Sequence, residues 1–294
     1  MKGIILAGGN GSRLHPITSV VTKQLLPVYD KPMIHYPIAT LILAGIKDIL
    51  IICKAGDDKL FKQLLGDGSD YGINLQYKIQ DNPNGIPEAF ILGEDFIGTD
   101  SVCLALGDNI FHGHDLPALL QRGSNLINTT GGGVIFGHHV SNPERYGIVK
   151  EGKTGRILNI EEKPKKPKSN CAVVGLYMYD NSVINISKNL QPSERGETEI
   201  TEVNKEYLKN KDLRLIKFGR GYSWFDTGVA DALLGASNYV QAIQKRQGLK
   251  ISCIEETAHY MGLIDDEQLK KLAEDIKNPE YSNYLLGILN KEEL

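Results

Sequence analysis

The stretch KGIILAGGNGSRLHPITSVVTK, residues 2–23, decides the fold that the sequence predicts. Residues 3–6 are an apolar run suited to a buried strand, and a loop with three glycines follows at once. These glycines are Gly8, Gly9 and Gly11. Glycines let backbone N–H groups turn toward a ligand without interference from Cβ, as in loops that wrap polyphosphate. Arg13 and Lys23 add positive charge for phosphate oxygens, so the stretch predicts a strand followed by a triphosphate-binding loop.

Two better-known glycine-rich loops do not fit this stretch. A P-loop requires GxxxxGK[ST], but Arg13 follows Gly11 and Ser12, without a Lys-Ser or Lys-Thr pair. A dinucleotide-binding GxGxxG opens directly into a helix, whereas Pro16 and a Thr, Ser and Val run follow here. An ordinary strand-to-loop turn is the alternative for a GGxG segment, and the charges of Arg13 and Lys23 weigh against it.

The composition is that of an ordinary globular protein, with 41% hydrophobic residues, 23% charged residues and a formal net charge of −3. Nucleic-acid binding has no electrostatic support because no long basic block is present. The four cysteines lie far apart and favour buried free thiols in a reducing cytosol over a disulfide framework or a metal site. The chain begins directly with a strand, and no apolar run approaches the ~20 residues of a membrane span, so we expect a cytoplasmic protein.

Apolar runs alternate with helical patterns over the first part of the chain. Strands are expected at residues 48–53, 73–79 and 101–106, and helices at residues 32–44 and 57–65. This alternation predicts an α/β fold with a mainly parallel central sheet and helices on both faces. Because ligands bind at the carboxyl ends of strands in such sheets, the loops after Leu6, Ile79 and Leu106 should converge.

Two of these loops carry side chains suited to a nucleotide and a metal ion. Gln80 offers a donor and an acceptor to the edge of a pyrimidine base, and Gly85 allows the backbone to approach a ring closely. A turn without a ligand is the alternative for this Asn-Pro-Asn-Gly segment. Asp108 follows the third strand, where it could provide an oxygen ligand for Mg²⁺, and an Asx turn is the alternative there.

The second part of the chain has shorter strands and then helices. Strands are expected at residues 134–137, 144–149 and 156–164, with a hairpin turn at 152–155 that makes this region locally antiparallel. Thr198 or Thr201 is expected to cap the helix that follows them. Further helices are expected at residues 229–246 and 265–276, with a last helical segment at 281–289.

Several segments resemble the sugar-phosphate nucleotidylyltransferase family. They are LAGGNGSRLHPIT at residues 6–18, KQLLPVYDKPMIHYPIATLILAGI at 23–46, GDN at 107–109, EEKP at 161–164 and RGE-x-EIT at 195–201. The similarity runs from residue 1 nearly to the C-terminus, and Ser12 stands where Thr is usual. The resemblance implies a Rossmann-like fold in which residues 1–240 form the catalytic domain, with a small antiparallel sugar-binding region, and residues 241–294 form a helical extension packed on it.

The resemblance also implies the reaction, which is transfer of a thymidylyl group from dTTP to glucose 1-phosphate with Mg²⁺ as cofactor, in the supply of dTDP-sugars. UTP, another hexose 1-phosphate or a non-catalytic regulatory subunit are the alternatives. A homotetramer is the implied assembly. The implied catalytic residues are Arg13, Lys23 and Lys163.

The same resemblance assigns the binding residues. The implied nucleotide contacts are Leu6, Gly8, Gly9, Gly11, Ser12, Arg13, Lys23, Gln24, Gln80, Pro83, Gly85 and Asp108. The implied sugar-phosphate contacts are Asn109, Gly147, Glu162, Lys163, Val173, Arg195 and Trp224. Asp108 and Asp226 are the implied metal ligands, and an N-cap of the following helix is the alternative for Asp226.

Overall fold

A computed structural model describes residues 1–193 and 196–290 of the chain. Its strands are β1 (Lys2–Leu6), β2 (Pro27–Val28), β3 (Lys31–Pro32), β4 (Asp48–Cys53), β5 (Asn74–Ile79), β6 (Val102–Leu106), β7 (Asn109–His112), β8 (Gly133–His139), β9 (Gly147–Glu151), β10 (Ile157–Glu162), β11 (Cys171–Tyr179), β12 (Leu213–Lys217) and β13 (Ser223–Asp226). Its helices are α1 (His35–Leu43), α2 (Asp57–Leu65), α3 (Glu88–Leu92), α4 (Glu94–Ile97), α5 (Leu116–Thr130), α6 (Ser182–Lys188), α7 (Ile200–Lys209), α8 (Ala230–Gln247), α9 (Ile254–Tyr260), α10 (Asp266–Asp275) and α11 (Pro279–Leu289).

Nine strands of the described residues form one mixed sheet around β1. Seven follow the order β10-β9-β11-β6-β1-β4-β5, while β8 pairs with β11 and β12 pairs with β8. Strands β6, β1, β4 and β5 run parallel, as do β8 and β12, and β11 is antiparallel to its neighbours. The expected α/β fold with a mainly parallel central sheet is therefore confirmed, and the β9–β10 hairpin supplies the expected antiparallel region.

Helices cover both faces of the sheet because successive residues of each buried strand point to opposite sides. Ile5 packs in an apolar cluster with α1 and α5, whereas its neighbour Ile4 packs in a second cluster with α3, α6 and α7. Both side chains are fully buried. Strands buried on both faces read as continuous apolar runs, which is why the sequence reveals β1, β4 and β6 so clearly.

Several boundaries and caps differ from the expectations. The strand expected from residue 144 begins at Gly147, because Pro143 starts a short 3₁₀ turn, Pro143–Arg145. Helix α7 has Glu199 at its N-cap position and no side-chain cap, so the prediction of a Thr198 or Thr201 cap is wrong. Thr198 Oγ1 donates to the Asn84 carbonyl instead, and Thr201 Oγ1 donates to Glu162 Oε2.

The C-terminal helices pack against the first part of the chain. Helix α9 contacts α1, and helices α9, α10 and α11 enclose an apolar cluster of their own. The Gln268 side chain donates to the Asp70 carbonyl at 3.0 Å, and Lys250 Nζ donates to Asp30 Oδ2 at 2.7 Å. No helix within the described ranges is long and apolar enough to cross a membrane.

Candidate active site

A cleft of about 260 Å³ opens at the carboxyl ends of the central strands. Ten of the residues assigned to the site from the sequence line it: Arg13, Gly85, Asp108, Asn109, Gly147, Glu162, Lys163, Val173, Trp224 and Asp226. They come from loops and strands that lie far apart in the sequence. The register of the sheet brings them together, as expected for ligand sites in α/β folds.

The three loops expected to converge do so. The Gly107 N–H donates to the Leu6 carbonyl at 3.0 Å, which joins the loop after β6 to the end of β1. The loop after β5 reaches the glycine loop, because a Cβ placed on Gly8 would lie 2.2 Å from Gln80 Oε1. Only glycine fits this approach. The Gln24 side chain is buried and packs against Gly107, so a Cβ there would lie 3.0 Å from Gln24 Cγ.

The rest of the glycine loop lies along the edge of the cleft. Gly11 has a φ of +60°, and its carbonyl accepts a 2.9 Å hydrogen bond from Thr18 Oγ1. A short 3₁₀ turn, Ser12–Leu14, follows and carries Arg13. The Arg13 guanidinium packs on Gly228, where a Cβ would lie 2.7 Å from Arg13 Nη2. A second cavity of about 170 Å³ beside this loop is lined by residues that include Gly9 and Lys23.

Lys23 and Asp108 form a buried ion pair, although 85 residues separate them. Asn109 Nδ2 donates to the second carboxylate oxygen of Asp108 at 3.0 Å. Burial alone would raise the pKa of the Asp108 carboxyl, but the Lys23 ammonium outweighs it and holds that pKa below its usual value. Asp108 is thus an ionised carboxylate in the cleft, paired with Lys23.

Asp226 ends β13 beside Asp108. Strand β13 pairs Asp226 with Asn109, and the Thr227 N–H donates to the Asp108 carbonyl at 3.1 Å. Helix α8 begins only at Ala230, so Asp226 does not act as its N-cap. Burial and the charge of Asp108 raise the pKa of the Asp226 carboxyl, and Arg13 partly opposes them.

The two carboxylates suit a divalent cation that is shared with a substrate. No group of three or more His, Cys, Asp or Glu side chains in the part of the chain that the structure describes could hold a metal ion. Mg²⁺, however, is commonly bound by one or two carboxylates together with phosphate oxygens. The mutual repulsion that raises the pKa of Asp226 is what a cation between Asp108 and Asp226 would relieve. The donor set therefore fits Mg²⁺ bound with a phosphate ligand.

Glu162 and Lys163 lie at the opposite wall of the cleft. Glu162 Oε2 accepts a 2.6 Å hydrogen bond from Thr201 Oγ1, and Lys163 Nζ lies 3.5 Å from Glu162 Oε1. Gly147 allows this arrangement, because a Cβ there would lie 3.2 Å from both Glu162 Oε2 and Thr201 Oγ1. Val173 is buried and lines the same wall.

Asn109 and Trp224 form the floor of the cleft. Asn109 Oδ1 accepts hydrogen bonds from Trp224 Nε1 at 2.6 Å and from the Gly175 N–H at 3.1 Å. The rings of Trp224 and Tyr146 lie 5.0 Å apart, centroid to centroid. Asn109 thereby connects the carboxylate of Asp108 to the aromatic wall.

One assigned residue stands apart from this geometry, and another is not among the described residues. Pro83 is exposed in the loop after β5. Arg195 lies outside the described residues.

Sequence reasoning missed several residues of the cleft. Tyr146 stands next to the assigned Gly147 and Gly175 lies two residues after Val173, and an aromatic residue before Gly147 was a usable signal. Thr201 was assigned only a capping role. Glu88, which binds Gln80, follows it by eight residues and carries no motif that would single it out.

Comparisons with known proteins identify the family. The family described as nucleotidyl transferase matches residues 2–243 of the chain. A glucose-1-phosphate thymidylyltransferase of Mycolicibacterium smegmatis is 52% identical over 292 residues, which cover 99% of this chain and 100% of the relative. A protein of the same name from Neisseria meningitidis is 50% identical over 291 residues, with 99% and 100% covered.

Solved structures share the fold. One from Bacillus anthracis, assigned as a glucose-1-phosphate thymidylyltransferase and in complex with sucrose, has a TM-score of 0.74 and 41% identity over 81% of this chain and 94% of that chain. A UDP-glucose pyrophosphorylase complexed with UDP-glucose has a TM-score of 0.71 at 24% identity, over 84% of this chain and 99% of that one, and is similar in fold.

Proposed function

This chain belongs to the nucleotidyl transferase family, and on that premise we propose that it transfers a thymidylyl group from dTTP to α-D-glucose 1-phosphate. The products are dTDP-glucose and pyrophosphate. About half of its residues are identical to those of thymidylyltransferases over nearly the full length of both chains. The observation that carries the proposal is the ionised Asp108, held between Lys23 and Asn109 at the carboxyl ends of the central strands.

The reaction needs positioning and charge neutralisation more than acid–base chemistry. A phosphate oxygen of glucose 1-phosphate attacks the α-phosphorus of dTTP, and the bond from that phosphorus to the β-phosphate bridging oxygen breaks. The nucleophile is already an anion, so no general base is required. Holding the two anions in line and stabilising the leaving pyrophosphate can each lower the activation barrier by roughly several kcal/mol.

Each charged residue has a separate role in the proposed reaction. In the proposal, Arg13 and the backbone of residues 8–12 bind the leaving pyrophosphate, and Lys23 binds the triphosphate. Lys163 and Arg195 bind the incoming sugar phosphate. Asp108 and Asp226 would hold Mg²⁺, which neutralises charge on the phosphates when bound. A non-catalytic subunit is disfavoured because these charged residues are present together.

The remaining contacts set the orientation of the substrates. Glu162, Gly147, Val173, Asn109 and Trp224 would contact the sugar phosphate, and their place in the cleft supports this. Gln80 and Gly85 would read the base, with Leu6, Gln24 and Pro83 around it. The domain boundary near residue 240 is supported by the family match, which ends at residue 243.

Three further properties rest on the family resemblance. They are a homotetrameric assembly, a cytoplasmic location and the supply of dTDP-glucose to dTDP-L-rhamnose or polysaccharide synthesis.

Pyrophosphate release tests the proposal. The protein is incubated with Mg²⁺ and glucose 1-phosphate, and dTTP, UTP, dCTP, ATP and GTP are offered separately. Release with dTTP, alone or faster than with UTP, is the expected result. Faster release with UTP would assign the uridylyl reaction instead. If no nucleotide gives pyrophosphate release, and mannose 1-phosphate or galactose 1-phosphate gives none either, the proposal is overturned.

A further inference from the structure

The carboxylate of Glu88 collects three hydrogen bonds from the loop after β5. Its Oε2 accepts from Gln80 Nε2 at 2.5 Å and from the Asn84 N–H at 3.1 Å, and its Oε1 accepts from Asn84 Nδ2 at 2.9 Å. Glu88 is the first residue of α3, so its backbone is fixed by the helix. This side chain has no role in the transfer reaction proposed above.

These contacts fix the orientation of the Gln80 amide. A glutamine side chain can present either its oxygen or its NH₂ group to a partner, but an ionised carboxylate only accepts hydrogen bonds. Gln80 must therefore point Nε2 at Glu88, because the reverse orientation would set Oε1 against the carboxylate. Gln80 is only 3% exposed, so water cannot compensate for that loss.

The fixed amide presents its oxygen to the nucleotide side. Gln80 Oε1 faces the glycine loop, since a Cβ on Gly8 would lie 2.2 Å from it. The loop itself is held, because the Thr198 N–H and Oγ1 donate to the Asn84 carbonyl at 2.8 Å and 3.0 Å. The acceptor is thus positioned before a ligand arrives.

Thymine and uracil differ from cytosine in what they offer such an acceptor. Their N3 carries a hydrogen and their O4 accepts, which matches Oε1 and the second N–H of Nε2. Cytosine has an unprotonated N3 and an amino group at C4, so both positions would face a like partner. Rotating the Gln80 amide would restore the match, and Glu88 opposes that rotation.

We propose that Glu88 is a positioning residue that determines base specificity: by fixing the Gln80 amide it makes the site select pyrimidines with an N3–H over cytosine. This inference rests on the proposed nucleotide-transfer function. It predicts that Glu88 affects the choice between dTTP and dCTP, but not the choice between dTTP and UTP, whose N3 and O4 groups are the same.

The test is the ratio of kcat/KM for dTTP and dCTP in the Glu88→Leu variant. Leucine has a similar size and no acceptor, so the ratio should fall about tenfold or more, with the dTTP-to-UTP ratio unchanged. Glu88→Gln can still place an oxygen on Gln80 Nε2 and should keep most of the discrimination. Glu94→Leu removes the same charge from the neighbouring helix α4, where the side chain pairs with Lys188, and should leave the ratio unaltered.

Several results would contradict the proposed role of Glu88. An unchanged dTTP-to-dCTP ratio in a folded Glu88→Leu protein overturns the inference, as does an equal fall in both nucleotide ratios. If Glu88→Leu does not fold, the wild-type protein provides the test. Equal kcat/KM values of the wild type for dTTP and dCTP would overturn the inference. Wild-type protein inactive with every nucleotide would refute the proposed function itself, which is a different result.

Discussion

Among the lysines of its loop, Lys163 is the one whose side chain lines the cleft. Its Nζ lies in the cleft near Glu162, and its backbone N–H donates to the Tyr146 carbonyl at 3.0 Å. Its φ of +45° is uncommon for a residue other than glycine. Lys165, two residues on, is exposed as Lys163 is, but it does not line the cleft. The turn thus directs one lysine of the loop into the cleft, where the proposed sugar phosphate would bind.

Replacing Lys163 by Gln should lower kcat/KM for glucose 1-phosphate by about 100-fold, because a charge-assisted phosphate contact is lost. Glutamine is polar, uncharged and one atom shorter than lysine, and the melting temperature should change little. Lys165→Gln removes the same charge from the same loop and should leave the kinetics near wild type. Pyrophosphate release against glucose 1-phosphate concentration measures both. Equal effects of the two variants would mean that only the general charge of the loop matters.

His35 is buried without a hydrogen-bond partner for either ring nitrogen among the residues that the structure describes. Burial, with a contribution from the Lys31 charge, lowers the pKa of His35 to about 4. The ring is therefore neutral in the folded protein at pH values where the unfolded chain binds a proton. Stability is lost as the pH falls below about 6.5, the usual pKa of histidine.

The size of this effect can be measured with a His35→Leu variant. Between about pH 7.5 and about pH 5, the free energy of unfolding of the wild type should fall by about 2 kcal/mol more than that of the variant. Urea denaturation at the two pH values gives the four free energies required. Parallel losses in the two proteins would show that His35 does not titrate as its burial implies.

At the scale of elements, the loop after β5 is joined to the loop before α7. Gly85 forms a bridge with Thr198, and its φ is +114°. A Cβ on Gly85 would lie 2.0 Å from the Thr198 carbonyl oxygen, a contact that backbone movement alone could relieve. The distance between the two loops is therefore set by a residue without a side chain.

Gly85→Ala should separate the loops, raise the KM for both substrates and lower the free energy of unfolding by more than about 1 kcal/mol. Gly155→Ala is the matched control, because its φ is +77° but no heavy atom lies within 4 Å of a Cβ there. It should lower stability by about 1 kcal/mol without changing either KM. Unaltered kinetics in Gly85→Ala would show that the bridge does not set the loop spacing.

The sequence predicts those elements best whose signal is local. Strand β4 was expected at residues 48–53 and has these bounds, because a strand buried on both faces is apolar throughout. The cap expected at Thr198 or Thr201 was wrong because the helix begins at Ile200, with Glu199 at its N-cap position, and both hydroxyls donate to distant parts of the chain. Local helix propensity contains no information about hydrogen-bond partners that are distant in the sequence and come close only in the folded chain.

The site follows the same division. Glycine loops and the carboxylate after β6 could be found from motif and strand order, since both depend on neighbouring residues. The side chains that orient the site residues could not be found from the sequence, because packing across the sheet decides which residues meet. These contacts are Glu88 with Gln80, Thr201 with Glu162 and Tyr146 with Trp224. Glu88 carries no motif, and although Tyr146 lies beside Gly147 and Thr201 lies within the segment 195–201, the sequence does not show which side chains they contact.

At the scale of the whole molecule, one lysine joins the C-terminal helices to the first part of the chain. Lys250 Nζ donates to Asp30 Oδ2 at 2.7 Å and lies 4.4 Å from the centre of the Tyr281 ring on α11. Its side chain is only 11% exposed. Burial opposes ionisation of Asp30, but Lys31 and Lys250 together hold the pKa of that carboxyl below its usual value.

Lys250→Met should therefore lower the free energy of unfolding by about 3 kcal/mol, because the Asp30 charge stays buried with less compensation. Lys270→Met is the control, since Lys270 pairs with Glu274 at 3.9 Å with both side chains 61% exposed, and should change it by no more than about 0.5 kcal/mol. Because Lys250 connects two parts of one packed body, we expect urea to unfold wild type and variant in one transition each. A separate early transition in Lys250→Met would show instead that the C-terminal helices unfold on their own and that Lys250 is their main attachment.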